Sequence, residues 1–274
     1  MCVRAKVRQR QSSSNMCVTL AMLAVPSLER KLVDSCVKKN SRSAEDVMLL
    51  PLLRNASQLA TPSFLEIGAF NGEDGSQTWL VEKCLGWNGL LIEANPLTFG
   101  KLQNASRSRY TVRKHAAVCG GNRTTVQMRV GGGTTSALLG INKGYVRRSV
   151  HNSPIREVPC APLPSLMADA GLSTARASNA FLSLDVEGAE EMVLQTLDLS
   201  NFPFAVVLVE MAGRDAFKDQ RVRDMLTKGA GLMLLSKPRA LSRGAQNEVY
   251  GLGELKRRGK FGQPPKRSAL SNAI

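Results

Sequence analysis

The stretch Phe64-Leu65-Glu66-Ile67-Gly68-Ala69-Phe70-Asn71-Gly72-Glu73-Asp74-Gly75-Ser76 decides the fold of this chain. A short apolar run, with the length of a buried strand, ends at Gly68 and passes into a glycine-rich turn. Gly68 and Gly72 let the backbone turn tightly and approach a ligand closely. The spacing differs from the GxGxxG of dinucleotide folds, and the acids Glu73 and Asp74 would repel a pyrophosphate at the start of the next helix. The turn therefore favours a cationic ligand.

Apolar runs and helical stretches alternate along the rest of the chain, at a spacing of about 20–30 residues. The predicted parallel strands are Phe64–Ile67, Gly89–Ile92, Tyr110–Val118, Phe181–Val186 and Phe204–Met211. The predicted helices are Ser27–Ala60, Trp79–Leu85, Leu97–Arg107, Leu163–Gly171, Ala189–Leu197 and Asp219–Gly229. A closing antiparallel pair is expected at Leu232–Ser236 and Glu248–Leu252, and a hairpin with a mobile loop at Gly120–Pro159. The pattern predicts an α/β fold with a mostly parallel, doubly wound sheet.

Acidic residues follow two more of these strands, at the edge where such sheets bind ligands. Glu93 ends the second strand 25 residues after Gly68. This distance is close to the offset, roughly 20 residues, of the acid that holds a ribose in nucleotide-binding α/β folds. Asp185 and Glu187 follow the fourth strand and alternate in direction, so one of them is expected to face the cleft. Glu190 falls in the first turn of the next helix, where its charge suits the helix dipole.

Three blocks of the sequence, Phe64–Ser76, Gly86–Pro96 and Ser183–Glu190, resemble in order and spacing the signature blocks of FkbM-type methyltransferases. The resemblance covers residues 43–252. It implies a Rossmann-like class I methyltransferase fold with S-adenosylmethionine as cofactor. It also implies O-methylation of a hydroxyl group on a sugar or another small metabolite. The glycine-rich turn agrees with this cofactor, because its sulfonium and ammonium groups are cations.

The resemblance assigns cofactor contacts to individual residues. The turn on the methionine side of the cofactor would be formed by Glu66, Gly68, Ala69, Asn71, Gly72 and Ser76. Further contacts are expected from Glu93, Ala94, Asn95, Ala116, Ala117 and Asp185. Among these, Glu93 would hold the ribose and Ala116 and Ala117 would approach the adenine. Asp185 would stand near the sulfonium.

The acids after the fourth strand are the candidate catalytic groups. A hydroxyl acceptor must lose its proton during methylation, and Asp185 or Glu187 is expected to take it as a general base. Asp185 could instead stabilise the sulfonium electrostatically. The alternative of a divalent ion bridging Asp185, Glu187 and Glu210 stays open, although no metal is part of the preferred interpretation. A catalytically silent methyltransferase fold that serves as a binding or trafficking module is the alternative function.

The net charge of +15 is concentrated at the two ends of the chain. Residues 1–43 hold nine Lys or Arg and two acids, and residues 256–267 hold six basic residues and no acid. The stretch between them has 22 basic and 20 acidic residues, which argues against a nucleic-acid-binding face. The sequence therefore predicts a basic leader at 1–42, a methyltransferase domain at 43–255 and a basic, disordered tail at 256–274.

The leader and the cysteines leave the cellular location open. The leader contains an apolar run, Met16–Val25, that is too short to span a bilayer. The basic, acid-poor start is typical of an organelle transit peptide, and the apolar run is typical of a secretory signal. The third alternative is a disordered segment without a targeting role. Six scattered cysteines without a CxxC pair predict a mostly reduced chain, which makes the cytoplasm the default location. The oligomeric state cannot be inferred from sequence.

Overall fold

A computed structural model of the chain describes residues 33–37, 39–40, 44–131, 137–139, 152–211, 213, 215–236 and 246–258. The strands are β1 Thr61–Ile67, β2 Asn88–Glu93, β3 Val112–His115, β4 Ala117–Val118, β5 Thr125–Arg129, β6 Ala137–Leu138, β7 Ile155–Ala161, β8 Asn179–Leu184, β9 Phe204–Met211, β10 Met233–Ser236 and β11 Gln246–Gly251. The helices are α1 Ala44–Ala56, α2 Trp79–Leu85, α3 Pro96–Gln103, α4 Leu163–Asp169, α5 Glu190–Leu194, α6 Ala216–Asp224 and α7 Gly253–Arg258. A 3₁₀ turn, Leu199–Asn201, precedes β9, and a π-helical turn, Met225–Gly229, continues α6.

The chain divides into two units, Met1–Asn40 and Ser41–Ile274. In the first unit, residues 33–37 are helical. The second unit contains both sheets and the helices α1 to α7. Within the described ranges, no helix combines the length and the apolar character needed to cross a membrane.

A seven-stranded sheet with the order β10-β11-β9-β8-β1-β2-β3 forms the centre of the second unit. The pairs β1–β2, β1–β8, β2–β3 and β8–β9 are parallel, whereas β11 runs antiparallel to both β9 and β10. The predicted α/β class, the mostly parallel sheet and the antiparallel closing pair are confirmed. Because the central strands are parallel, the carboxyl ends of β1, β2, β8 and β9 share one edge of the sheet.

Helices cover both faces of this sheet, which explains why its strands read as continuous apolar runs. On one face Leu65, Leu182 and Val207 pack with residues of α4, α5 and α6. On the other face Phe64 and Phe181 pack with residues of α1, α2, α3 and α7. Burying each large apolar side chain contributes roughly 1.5–3 kcal/mol, so this double layer fixes the strand ends that carry the acids.

The predicted third strand, Tyr110–Val118, is two strands in two different sheets. Residues of β3 join the edge of the main sheet beside β2. The chain then turns at Ala116, and β4 pairs with β7 in a second sheet of order β4-β7-β5-β6. The hairpin expected within Gly120–Pro159 is present, since β5 pairs antiparallel with β6 and β7. The loop expected between its strands falls on residues 132–136 and 140–151, outside the described residues.

The prediction of a reduced chain is wrong for the second sheet, where Cys119 and Cys160 form a disulfide. Ala117 lies opposite Cys160 in the β4–β7 pair, and this register brings the two cysteine Cα atoms to 5.7 Å. Both sulfur-bearing side chains are buried, in a cluster with Met128 and Val158. The sequence separation of 41 residues hides this proximity, because only the strand pairing creates it.

Most helices differ from their predicted bounds, and for two of them the structure shows a local reason. The helix predicted as Leu97–Arg107 ends at Gln103, because Asn104 and Ser106 favour turns over helix and the last amide bonds shift to Lys101 and Leu102. The helix predicted as Asp219–Gly229 begins earlier, where the Asp215 side chain accepts a hydrogen bond from the amide of Lys218. Its last turn is π-helical.

Candidate active site

The residues that follow β1, β2 and β8 surround a cavity at the carboxyl edge of the sheet. The predicted site residues that line it are Gly68, Ala69, Ser76, Glu93, Ala94, Asn95, Ala116, Ala117, Asp185 and Glu187. Sequence reasoning missed other lining residues, which include Phe70, Thr98, Met128, Leu138 and Met192. The predicted residues Glu66, Asn71 and Gly72 lie outside the lining. The cavity therefore joins the glycine-rich turn to the acids that end β2 and follow β8.

The glycine-rich turn presses against the backbone that follows β8. A Cβ atom added to Gly68, whose φ is +85°, would lie 1.8 Å from the carbonyl oxygen of Asp185. Phe70 in the same turn has a φ of 52°, a left-handed conformation that is uncommon for a residue with a side chain. Its amide donates a 2.7 Å hydrogen bond to Glu93 Oε2. The turn is thus held in place by the backbone that follows β8 and by Glu93 at the end of β2.

Glu93 is held by backbone amides on both sides of its carboxylate. Oε2 accepts from the amide of Phe70, and Oε1 accepts from the amide of Asn95 at 2.8 Å. Burial raises the pKa of Glu93, and these hydrogen bonds oppose that rise. Each carboxylate oxygen has a second lone pair, so the group can still accept hydrogen bonds from a ligand. Asn95, besides lining the cavity, caps α3 by accepting from the amide of Leu97.

The three predicted site residues outside the cavity stabilise the turn from within. Glu66 accepts hydrogen bonds from Ser76 Oγ, the Gln77 amide and Thr78 Oγ1, at 2.6 to 2.8 Å. Asn71 closes a local turn by accepting from the amides of Glu73 and Asp74. Gly72 has a φ of +76° and donates its amide to the carbonyl of Ala69. These residues shape the turn and do not face the cavity.

Arg107 lies beneath the turn and is a residue that sequence reasoning missed. Its guanidinium is buried and donates to the Gly72 carbonyl at 2.8 Å, to Ser76 Oγ at 3.0 Å and to Thr78 Oγ1 at 2.9 Å. It also forms a 3.1 Å ion pair with the buried Glu82. No pattern distinguishes it in sequence, where it is one of several basic residues after α3. Through these contacts Arg107 links the glycine-rich turn to Glu82 of α2, the helix that precedes β2.

Asp185 lies directly after β8, and it is exposed where it lines the cavity. Leu184 pairs with Val209, so Glu210 on β9 is the next residue across from Asp185. Desolvation, and after it the charge of Glu210, hold the pKa of Asp185 well above its ordinary value of 3.8. This side of the cavity is therefore unfavourable for the charged form of Asp185.

The two other acids after β8 differ from Asp185 in their surroundings. Glu190 is buried and accepts from Lys218 Nζ at 2.5 Å and from the Gly188 amide at 2.9 Å, so its charge is balanced. Glu187 lines the cavity with a φ of 52°, a left-handed backbone conformation. Such backbone strain costs about 1–3 kcal/mol and is concentrated at functional sites. Both acids raise the pKa of Asp185 further.

The opposite side of the cavity is apolar and built by the second sheet. Ala117 and Val118 of β4, Met128 of β5 and Leu138 of β6 line it. His115 stays outside the lining, where it stacks on Phe99 with ring centroids 5.0 Å apart and its Nε2 lies 3.0 Å from the Ala94 carbonyl. His151 lies outside the described residues. The cavity thus has an acidic end and an apolar end suited to a flat aromatic ring.

The charges of the lining are of one sign in the part of the chain that the structure describes. Asp74, Glu93, Asp185 and Glu187 line the cavity, and no described Lys, Arg or His does. Anions such as a pyrophosphate would find no balancing charge there. The described residues also contain no group of three His, Cys, Asp or Glu side chains placed to hold a metal ion. The cavity suits a cation with an attached aromatic ring.

Several solved structures share a distant likeness with this chain. A methyltransferase FkbM from Methylobacillus flagellatus KT is 14% identical over 83% of this chain and 60% of its own length, with a TM-score of 0.41. An O-methyltransferase from Bacillus cereus in complex with SAH is 10% identical over 82% of this chain and 91% of its own, with a TM-score of 0.44. Aeropyrum pernix fibrillarin with natively bound S-adenosyl-L-methionine is 11% identical over 69% of this chain and 65% of its own, with a TM-score of 0.40.

No curated protein matches the sequence. A family model described as the methyltransferase FkbM domain matches residues 66–231. The match begins at the acid of the glycine-rich turn and contains Glu93, Asp185, Glu187 and Glu210. It spans more than half of the 274 residues. The chain therefore belongs to the FkbM methyltransferase family.

Proposed function

We propose that this protein transfers a methyl group from S-adenosylmethionine to a hydroxyl group on a sugar or another small metabolite. The observation that carries the proposal is the composition of the cavity lining, which is acidic at one end, apolar at the other and free of basic side chains among the described residues. S-adenosylmethionine presents a sulfonium and an ammonium group and carries no phosphate. A dinucleotide such as NAD carries two phosphates and would meet only acids.

The lining offers a contact for each part of this cofactor. The backbone of Gly68 and Ala69 would hold the methionine part, and the remaining lone pairs of Glu93 would accept the ribose hydroxyls. Ala117 and Met128 would enclose the adenine. Asp185 would lie near the sulfonium, where a carboxylate balances the positive charge.

The bound cofactor supplies a methyl group on a sulfonium, which is a good leaving group. The contribution of the protein is then to hold the acceptor in line with that methyl group and to exclude water. Such positioning is worth roughly 7–11 kcal/mol in favourable cases. A hydroxyl acceptor also has to lose a proton, and Asp185 or Glu187 would accept it at a carboxylate oxygen, for roughly 10²–10⁴-fold in rate. Because Asp185 and Glu187 are available as a base, we favour a hydroxyl group as the acceptor.

Calorimetric titration of the full chain with S-adenosylmethionine, S-adenosylhomocysteine and NAD tests the proposal. We expect the two sulfur nucleotides to bind and NAD not to bind. Glu93→Ala should weaken both sulfur nucleotides by roughly 10–100-fold, the value of one or two hydrogen bonds to a charged group. Glu157→Ala removes an exposed acid on β7, outside the lining, and should leave the affinities unchanged.

The outcomes separate the enzyme from the silent module. A folded wild-type chain that binds neither sulfur nucleotide would contradict the proposal. Binding without methyl transfer to any member of a panel of sugars and small hydroxyl compounds would instead support a binding module with a methyltransferase fold. Transfer to one member, lost in Asp185→Asn, would support the enzyme and the proposed base.

A further inference from the structure

The bonded cysteines of the second unit favour an oxidising compartment for this chain. Cys119 and Cys160 are buried and joined to each other, and Cys84 of α2 is disulfide-bonded as well. Disulfides form and persist in secreted proteins and in the lumen of the endoplasmic reticulum, and they are rare in the cytosol. The structure therefore favours a secretory route over the cytoplasm that the sequence suggests by default.

A chain that follows this route meets the enzymes of N-linked glycosylation. Their acceptor sequence is Asn-x-Ser/Thr, and the chain contains it at Asn55, Asn104 and Asn122. A linked glycan is bulky and hydrated, so the folded protein can carry one only where the asparagine lies at the surface. The three asparagines differ in this respect.

Asn122 lies in the turn that joins β4 to β5, shortly after Cys119 in the chain. Gly121 and Asn122 form the turn, and every residue from Gly121 to Thr124 is exposed. The amide of Cys160 donates a 2.8 Å hydrogen bond to the Thr124 carbonyl, which closes the turn beside the disulfide. Asn122 is thereby held at the surface, and it does not line the cavity.

Asn104 lies at the carboxyl end of α3, where the helix changes into a turn. It occupies the C-cap position, and both Asn104 and Ser106 are exposed. The side-chain amide of Asn104 donates a 3.1 Å hydrogen bond to the Gly100 carbonyl on the exposed surface of the helix. Neither residue of the triplet that takes part in the reaction, Asn104 or Ser106, lines the cavity.

Asn55 has different surroundings. It lies in the last turn of α1 and is half-buried, whereas Leu53 and Ala56 of the same helix are fully buried. The hydroxyl of Ser57, the third residue of the triplet, donates a 2.8 Å hydrogen bond to the Arg54 carbonyl. A glycan on Asn55 would begin beside the packed side of α1, so the fold disfavours this site.

We propose that Asn104 and Asn122 are N-glycosylation sites and that Asn55 is not. In the reaction, the side-chain amide nitrogen bonds to the anomeric carbon of an oligosaccharide carried on a lipid diphosphate. The bond from that carbon to the phosphate oxygen breaks, the lipid diphosphate leaves with the electron pair, and the amide nitrogen loses one proton. The inference is independent of the proposed function, because neither asparagine lines the cavity.

Expression of the full chain in cultured insect cells, followed by an amidase that removes N-linked glycans, tests the inference. We expect the amidase to lower the mass of the wild-type protein and to increase its mobility on a denaturing gel. Asn104→Gln and Asn122→Gln should each carry one glycan fewer than the wild type, and the double variant should show no shift. Asn55→Gln should keep the wild-type shift.

Thr124 offers matched variants that leave Asn122 in place. Thr124→Val removes the hydroxyl at nearly constant volume and should lose the Asn122 glycan, whereas Thr124→Ser keeps the hydroxyl and should still be modified. A wild-type chain that the amidase does not change would overturn the inference and leave the proposed function intact. A shift that persists in the double variant and disappears with Asn55→Gln would overturn it too. The wild-type measurement stands even if a variant does not fold.

Discussion

The two acidic sides of the cavity differ in what surrounds their carboxylates. On the side of the glycine-rich turn, Glu66 and Glu93 accept hydrogen bonds from hydroxyl groups and backbone amides. On the side of β8, the nearest charged neighbour of Asp185 is another acid, Glu210. Carboxylates with donors stabilise a fold, whereas carboxylates that face each other destabilise it until one is protonated or a cation arrives.

Glu66, which lies outside the cavity lining, therefore serves the structure, whereas Glu93 and Asp185 line the cavity and are the acids proposed to contact a ligand. On the side of the glycine-rich turn, Arg107 and Glu66 already form hydrogen bonds with the hydroxyl and carbonyl groups of the turn, without a ligand. Among the described residues no ion pair is formed by Asp185 on the β8 side, although Lys218 pairs with Glu190 nearby. A cationic ligand would form one. The following substitutions test this contrast, in order of decreasing effect.

Replacing Arg107 should cause the largest loss of stability. Arg107→Met keeps much of the side-chain volume but removes the 3.1 Å ion pair from the buried Glu82 and leaves it only the longer pair with Lys83, at 3.8 Å. Breaking a buried pair in this way costs about 3–5 kcal/mol. Arg107→Lys should lie between this variant and the wild type, because one ammonium cannot reach all the acceptors of the guanidinium. Urea unfolding measures both. Arg109→Met, two residues away and exposed, should change the free energy of unfolding by much less; equal losses would mean that the turn does not depend on Arg107.

Gly68→Ala should disturb the close packing of the glycine-rich turn against the backbone of Asp185. The added Cβ would meet the Asp185 carbonyl, so the turn must move, and a displacement of about 1 Å can cost roughly 10²-fold in function. Titration with S-adenosylhomocysteine measures the loss of affinity. Gly86→Ala is the matched control, because Gly86 also has a positive φ, +69°, but nothing lies within 4 Å of its added Cβ. Similar losses in the two variants would show that backbone conformation alone, and not the close approach, matters.

Neutralising one acid on each side should give effects of opposite sign and smaller size. Glu66→Gln places an amide group against three donors and should lower the free energy of unfolding by about 1–3 kcal/mol. Asp185→Asn should raise it at pH 8. Because folding raises the pKa of Asp185, the folded wild type binds more protons than the unfolded chain, and its stability falls as pH rises from 3.8 through the raised pKa.

The gain from Asp185→Asn should accordingly shrink as the pH is lowered toward 4, where the wild-type acid is protonated in both states. Urea unfolding of the three proteins at pH 4.5 and pH 8 measures both effects. A loss of stability in Asp185→Asn at pH 8 would mean that this acid serves the fold, as Glu66 does, and would remove the contrast between the two sides.

The sequence was informative wherever local pattern and tertiary position agree. The strand ends that carry Glu93 and Asp185 follow from apolar runs buried on both faces, and the predicted bounds of Trp79–Leu85 and Phe204–Met211 match the structure. The run Tyr110–Val118 could not be divided from sequence, because its two parts are short strands separated by one residue and only their partners tell them apart.

Contacts between distant segments were the part that the sequence could not supply. Arg107 looks like any basic residue in a polar stretch, and its burial depends on the path of the chain after α3. Glu66 was expected in the cavity because it belongs to the signature block, but its neighbour Ile67 lines the cavity, and adjacent residues of a strand point to opposite sides. Glu210 was recognised only as a neighbour of the acids after β8. Its place beside Asp185 required the strand register.

The disulfide of the second sheet also determines what a single cut in the chain can do. Cys119 and Cys160 enclose the strands whose residues Met128 and Leu138 form the apolar end of the cavity. A protease that cleaves any one peptide bond between these cysteines leaves both fragments joined through sulfur. On a denaturing gel such a nicked protein would run as two fragments only after reduction. Digestion with and without reductant can thus map accessible bonds in this segment while the fragments stay covalently together.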